Sequence, residues 1–191
     1  HQRYKFLYID KLGDQYGKPR PYFTMANHVH ATLRDFLSLQ PVSLRTVATI
    51  EDLLQRNWQR YRVGFRDRDD EERWLEKALA QLRAFANTQD VSVQPLMMEE
   101  PVEAEISAGL VLRGRIDRVD REPDGSLHLI DYKTGNPAHE IDWGQLQIHA
   151  MILSKRLPFE IRKISYLYLG TSLTQTTAIS AEGLRQVHWR V

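Results

Sequence analysis

Residues 110–133 read LVLRGRIDRVDREPDGSLHLIDYK. Leu110 to Asp120 reads as a strand. Pro123-Asp124-Gly125 marks a turn, and Leu127 to Tyr132 reads as a second strand, so the chain is expected to double back as a hairpin. With the turn centred on Asp124, Asp117 lies opposite Asp131 and Val119 opposite Leu129. Both pairs then share one face. Lys133, two residues beyond Asp131, points to that face as well, because strand side chains alternate. Directly opposed Cβ atoms lie roughly 4.5–5.5 Å apart, where like charges repel unless something neutralises them. This inference depends on the turn register, since a one-residue slip would move the two acids to opposite faces.

Upstream of the hairpin the apolar period is that of helices. Met25, Val29, Leu33, Phe36 and Leu37 predict a helix over Thr24–Leu39, ended before Pro41. Val47, Ile50, Leu54 and Trp58 predict a second over Thr46–Tyr61, and Trp74, Leu75, Ala78, Leu79 and Leu82 a third over Asp69–Phe85. Arg62 to Asp70, mixed in charge sign, reads as a solvated loop. Near Val91 the period becomes two, with Val102, Ala104 and Ile106 alternating with polar residues. Downstream, a helix is expected from Asp142 to Ser154 with Asp142 as N-cap, then strands at Ile164–Leu169 and Thr176–Ile179. The order is helices, three strands, helix, two strands. That predicts a mixed α/β layer fold with one twisted sheet. The chain is expected to be a single domain over residues 1–191, with a mainly helical portion (1–90) and a sheet-containing core (91–191).

With 191 residues, 42% hydrophobic and 27% charged, the chain fits an ordinary globular protein rather than the disordered class. The longest apolar runs, such as Ile148 to Leu153 with His149 inside it, fall well short of the roughly 20 residues that span a bilayer. The first residue is His1 and no signal-peptide pattern follows, so an excised fragment is expected. Zero cysteines exclude disulfides, zinc–thiolate sites and thiolate-held iron–sulfur clusters within these residues, and a cytoplasmic setting is expected. The net charge of +1 offers no global basic field, so any nucleic-acid binding has to rest on local patches.

Two readings of the hairpin acids follow from the residues alone. In one, a divalent cation neutralises Asp117 and Asp131. Carboxylates and water are the ligands magnesium or manganese prefers, alongside phosphate oxygens. Lys133 would then orient or help deprotonate a water and offset charge on the attacked phosphate. In the other, Asp117 pairs with Arg115 or Arg118, and Asp-Tyr-Lys is the end of an edge strand.

Gly114-Arg115-Ile116-Asp117-Arg118-Val119-Asp120, then Leu129-Ile130-Asp131-Tyr132-Lys133-Thr134-Gly135, then Gln145-Leu146-Gln147-Ile148-His149-Ala150 resemble the successive motifs of the PD-(D/E)XK nuclease superfamily, and its RecB-like branch most of all. The resemblance implies an α/β restriction-endonuclease-like core, a central mixed β-sheet flanked by helices, with an N-terminal helical portion. It implies that Asp117 and Asp131 bind the metal, that Lys133 is catalytic, and that Tyr132 contributes a backbone carbonyl. It also implies a metal-binding histidine on an early helix. Asn27-His28-Val29-His30-Ala31-Thr32-Leu33 resembles that segment, with His30 in the matching place. Residues two apart on a helix do not share a face, so only one of His28 and His30 is expected in the site. Gln145 matches the glutamine of the branch's Gln-x-x-x-Tyr motif, which helps position DNA, and His149 stands where the tyrosine would be. Glu99 resembles a further acid found upstream of Gly-x-x-Asp, although by itself it reads as a solvated strand-end carboxylate.

What the resemblance implies is a magnesium- or manganese-dependent deoxyribonuclease, exonuclease-like on single-stranded DNA or DNA ends, with a helicase or recombination partner. The alternative is a nuclease-like DNA-binding module that no longer cuts and scaffolds such a partner. Arg113, Arg115, Lys155 and Arg156 are the candidate phosphate contacts. Several RecB-like relatives hold an iron–sulfur cluster through one cysteine near the start and three near the end. Gln2-Arg3-Tyr4-Lys5-Phe6 resembles the stretch just after that first cysteine, so any cluster ligands are expected outside these residues.

Overall fold

The computed structural model describes residues 19–107, 109–180 and 182–184; the stretch Gln2 to Phe6 lies outside them. Helix α1 runs Pro21–Leu37, three residues earlier than the apolar period indicates. Pro21 accounts for this, because proline at the first helical position has its φ preset and gives up only an N–H that would be unpaired there anyway. A short 3₁₀ turn, Val42–Leu44, leads into α2, Val47–Arg60. The Thr46 side chain caps α2 by accepting from the Thr49 N–H. Helix α3 spans Arg68–Thr88, with Asp67 accepting from the Asp70 N–H as N-cap and acids throughout its first turn, where the helix dipole favours them.

The charged stretch before α3 is not simply solvated. Asp70 is buried, accepts from the Arg66 N–H, and is flanked by Arg66 and Arg73. Arg62 pairs with Glu71. Alternating charge signs therefore pin the loop to the start of α3.

Strands β1 (Met97–Ser107), β2 (Leu110–Arg121), β3 (Leu127–Lys133), β4 (Ile161–Tyr168) and β5 (Leu173–Ala178) lie side by side in chain order, with α4 (Gly144–Arg156) between β3 and β4. β3 and β4 are parallel and the other neighbours antiparallel, so the sheet is mixed as expected. The hairpin register is the expected one, with Val119 opposite Leu129 and Arg118 opposite Ile130. Gly125 holds the turn at a φ of 84°, a conformation glycine adopts at little cost.

Alternation along β3 divides the core. Leu127 and Leu129 pack with Leu146, Ala150 and Leu153 of α4. Ile130 and Tyr132 face the other way, into Val29, Phe36, Leu54 and Phe85 of the three N-terminal helices. Asp131 and Lys133 share the parity of Leu129, and so stand on the α4 side. Asp142 does not cap α4: the N-cap is Trp143, which makes no side-chain capping bond. Asp142 instead accepts from the Gly144 N–H, closing a local turn just ahead of the helix.

Candidate metal centre and active site

The β2–β3 ladder stops at the Arg118–Ile130 pair. One step further, the Tyr132 N–H donates to the side-chain carboxylate of Asp117 at 2.8 Å. A side chain thus replaces the backbone partner where the strands part, and both hairpin acids are left at the mouth of a cavity of about 480 Å³ that they line with His30, Glu99, Lys133 and Gln145. Arg115 and His149 line it as well, with Asn27, Ala31 and Tyr132.

His30 comes from α1. Its Nδ1 lies 2.8 Å from Glu99 Oε1 and 3.5 Å from Asp117 Oδ1, and ligand-capable atoms of His30, Glu99 and Asp117 all fall within 4.8 Å of one another. Burial disfavours the charged ring, but hydrogen bonds to Asp117 and Glu99, together with their field, outweigh it and raise the His30 pKa to about 10. A proton on the imidazole thereby neutralises part of a doubly acidic pocket. His28 points elsewhere: it stacks on Trp58 and its Nε2 reaches the Tyr61 carbonyl.

Glu99 is not a solvated strand end. It is buried, with φ at 50°, a region that L residues other than asparagine and aspartate seldom occupy. One of its oxygens meets His30, and the other lies 2.8 Å from Arg115 Nε. The structural pairing of Asp117 with an arginine also fails, since Arg115 pairs with Glu99 and Arg118 with Asp120. Nor is Asp-Tyr-Lys at a sheet edge, because β3 is the middle strand.

Asp131 is buried. Burial and the neighbouring Asp117 carboxylate push its pKa up to about 6 against the pull of Lys133. Lys133 Nζ sits 2.6 Å from Asp131 Oδ2. The contact is a close ion pair, and the lysine charge offsets part of the repulsion between Asp131 and Asp117. Lys133 Nζ also donates to Gln145 Oε1 at 3.4 Å and lies 4.7 Å from the centre of the Tyr166 ring. Tyr166 is opposite Asp131 on β4, stacks on Trp143, and donates to the Asp142 carbonyl. Sequence reasoning misses this aromatic shelf, because only the β3–β4 pairing brings it beneath the lysine.

The Tyr132 side chain is structural. Its ring is packed edge-on against His30 and Phe85, and burial pushes its hydroxyl pKa up to about 12. His149 packs against β2 so closely that a Cβ on Gly114 would stand 2.6 Å from its Nε2. Burial lowers the His149 pKa. Lys155 and Arg156 occupy the last turn of α4, about 15 Å along the helix from Gln145 at 1.5 Å per residue, and do not line the cavity. Arg113 pairs with Glu103 on the β1–β2 ribbon.

One imidazole nitrogen and two convergent carboxylates, with a third carboxylate beside them, form an oxygen-rich set suited to a hard divalent cation. The family model of the PD-(D/E)XK nuclease superfamily matches residues 2–187. No curated protein matches the chain closely enough to count as a relative.

Proposed function

Since the chain belongs to the PD-(D/E)XK nuclease superfamily, we propose that it is a magnesium- or manganese-dependent deoxyribonuclease that hydrolyses phosphodiester bonds, exonuclease-like, in single strands or at DNA ends. The observation that carries this reading is the convergence of His30, Glu99 and Asp117 on one point, in the same cavity as the Asp131–Lys133 pair. His30, Asp117, Asp131 and the Tyr132 carbonyl would hold the cation, and Glu99, already within the cluster, joins them. When bound, such a cation acidifies a water and neutralises charge on the phosphate.

The chain's own groups do the rest. Lys133, held by Gln145 and lying over Tyr166, orients the attacking water and offsets the charge that grows on the phosphate. Asp131 ionises readily only above about pH 6, so cation and proton compete for it. Gln145 and His149, on the α4 face of the cavity, steer the DNA backbone past the centre. A helicase or recombination partner is what the RecB-like resemblance favours, and a cytoplasmic setting is proposed with it, since the cysteine-free sequence suits a reducing compartment. No helix among the described residues is long and apolar enough to cross a membrane.

Cleavage of end-labelled single- and double-stranded DNA in Mg²⁺, Mn²⁺ or EDTA tests the reading. Metal-dependent cutting should fall by at least about a hundredfold in Asp131→Ala and in Lys133→Ala, the scale for losing a group that acts on the proton or charge in flight. Intact DNA in every condition, with binding retained, would establish the non-cutting module instead.

A further inference from the structure

Strand β2 carries Arg113, Arg115 and Arg118, and the fold treats the three differently. Arg118 is buried and closed off by Asp120. Arg113 lies out on the ribbon beside Glu103. Of the three, only Arg115 lines the cavity that holds His30, Asp117 and Lys133. Its side chain is 62% exposed, whereas that of Glu99, its partner, is 5% exposed. The contact between them uses Nε, and among the described residues the guanidinium enters no hydrogen bond. A guanidinium carries five N–H donors in a planar fork, so donors remain free to serve an anion in the cavity.

Glu99 connects this arginine to the candidate metal cluster. One oxygen meets His30 and the other Arg115, and β1 adopts a positive φ at this residue. Backbone kept in so sparsely populated a region is over-determined by its surroundings and tends to occur at working sites.

We propose that Arg115 is the phosphate-binding residue of this nuclease: its fork grips non-bridging oxygens of the phosphate to be cut, and Glu99 holds the fork beside the metal cluster. This inference rests on the nuclease reading of the same cavity. Because the guanidinium is planar and binds oxyanions in pairs, lysine is no substitute for it.

The test is binding of a fluorescently labelled single-stranded oligonucleotide in EDTA, by anisotropy over a range of salt, for the wild type, Arg115→Gln, Arg115→Lys and Arg113→Gln. Melting temperatures unchanged from the wild type would show that the exposed substitutions leave the fold intact. Arg115→Gln should weaken binding by about tenfold or more, the scale of a charge-assisted contact, and flatten the slope of log affinity against log salt by roughly 0.7, one phosphate's worth for a single strand. Arg115→Lys should recover the slope, yet in Mg²⁺ it should keep a lowered kcat. Arg113→Gln should leave affinity and slope near those of the wild type.

Binding and slope unaffected by Arg115→Gln, or lost equally in Arg113→Gln, would overturn the proposal. Because binding is read without metal, a wild type that binds DNA but never cuts it removes the nuclease reading while still scoring Arg115 as a phosphate contact. A wild type that does not bind overturns both.

Discussion

At His30 an imidazole nitrogen stands between two carboxylates, an arrangement that favours its protonated form. The ring nitrogen lies between Glu99 and Asp117, and its pKa is raised from 6.5 to about 10. A raised pKa means that the stabilisation is fully present below pH 6.5 and is lost as pH rises through 10. Asp131, raised from 3.8 to about 6, has the same sign at lower pH: its contribution is present below 3.8 and lost through 6. The metal-free site therefore weakens as it deprotonates, and a divalent cation relieves it. We expect the melting temperature in EDTA to fall between pH 6.5 and 10 more steeply for the wild type than for His30→Gln; parallel profiles would refute this account of His30. Helix geometry alone says that only one of His28 and His30 faces the site; the choice of His30 comes from the family resemblance. The position of Glu99 is not, because a carboxylate near a strand end reads as solvated until α1 and a positive φ bring it inside.

Among the elements, α4 packs closely against β2 beside the cavity, where His149 lines it. Gly114 permits that approach, since an added Cβ would stand 2.6 Å from His149 Nε2, closer than real Cβ contacts come. Gly114→Ala should cost about 1–3 kcal/mol as an overpacked contact. Combining it with His149→Ala should recover much of that loss, giving a coupling of about 1 kcal/mol or more in a denaturant-melt cycle. Strict additivity would show that the two do not touch. The hairpin, its turn and the residues at its open end are legible because strand period and turn chemistry are local signals. The glycine's reason is not, because it lies at His149, on a helix 35 residues later in the chain. The Asp142 cap is misleading for a related cause: an aspartate two residues ahead of a helix can close its own turn instead, and here it accepts from Gly144.

In the molecule as a whole, the order of helices and strands is readable from apolar period, and an α/β layer fold with one sheet follows from it. The parallel pairing of β3 with β4 has no local signal, since α4 separates the two strands, and with it goes the shelf of Tyr166 and Trp143 under Lys133. The fold brings four separate parts of the chain to one cavity: His30 from α1, Glu99 from β1, the hairpin acids with Lys133, and Gln145 with His149 from α4. One hydrophobic cluster on each face of the sheet holds these elements in place. The central claim is that this convergence is a metal centre, and a Mn²⁺ titration at neutral pH, followed by the electron paramagnetic resonance of the free ion, tests it most directly. Saturable uptake by the wild type, abolished in Asp117→Asn and retained in Arg113→Gln, is the predicted result. No uptake by the wild type, or uptake that Asp117→Asn leaves unchanged, would contradict it.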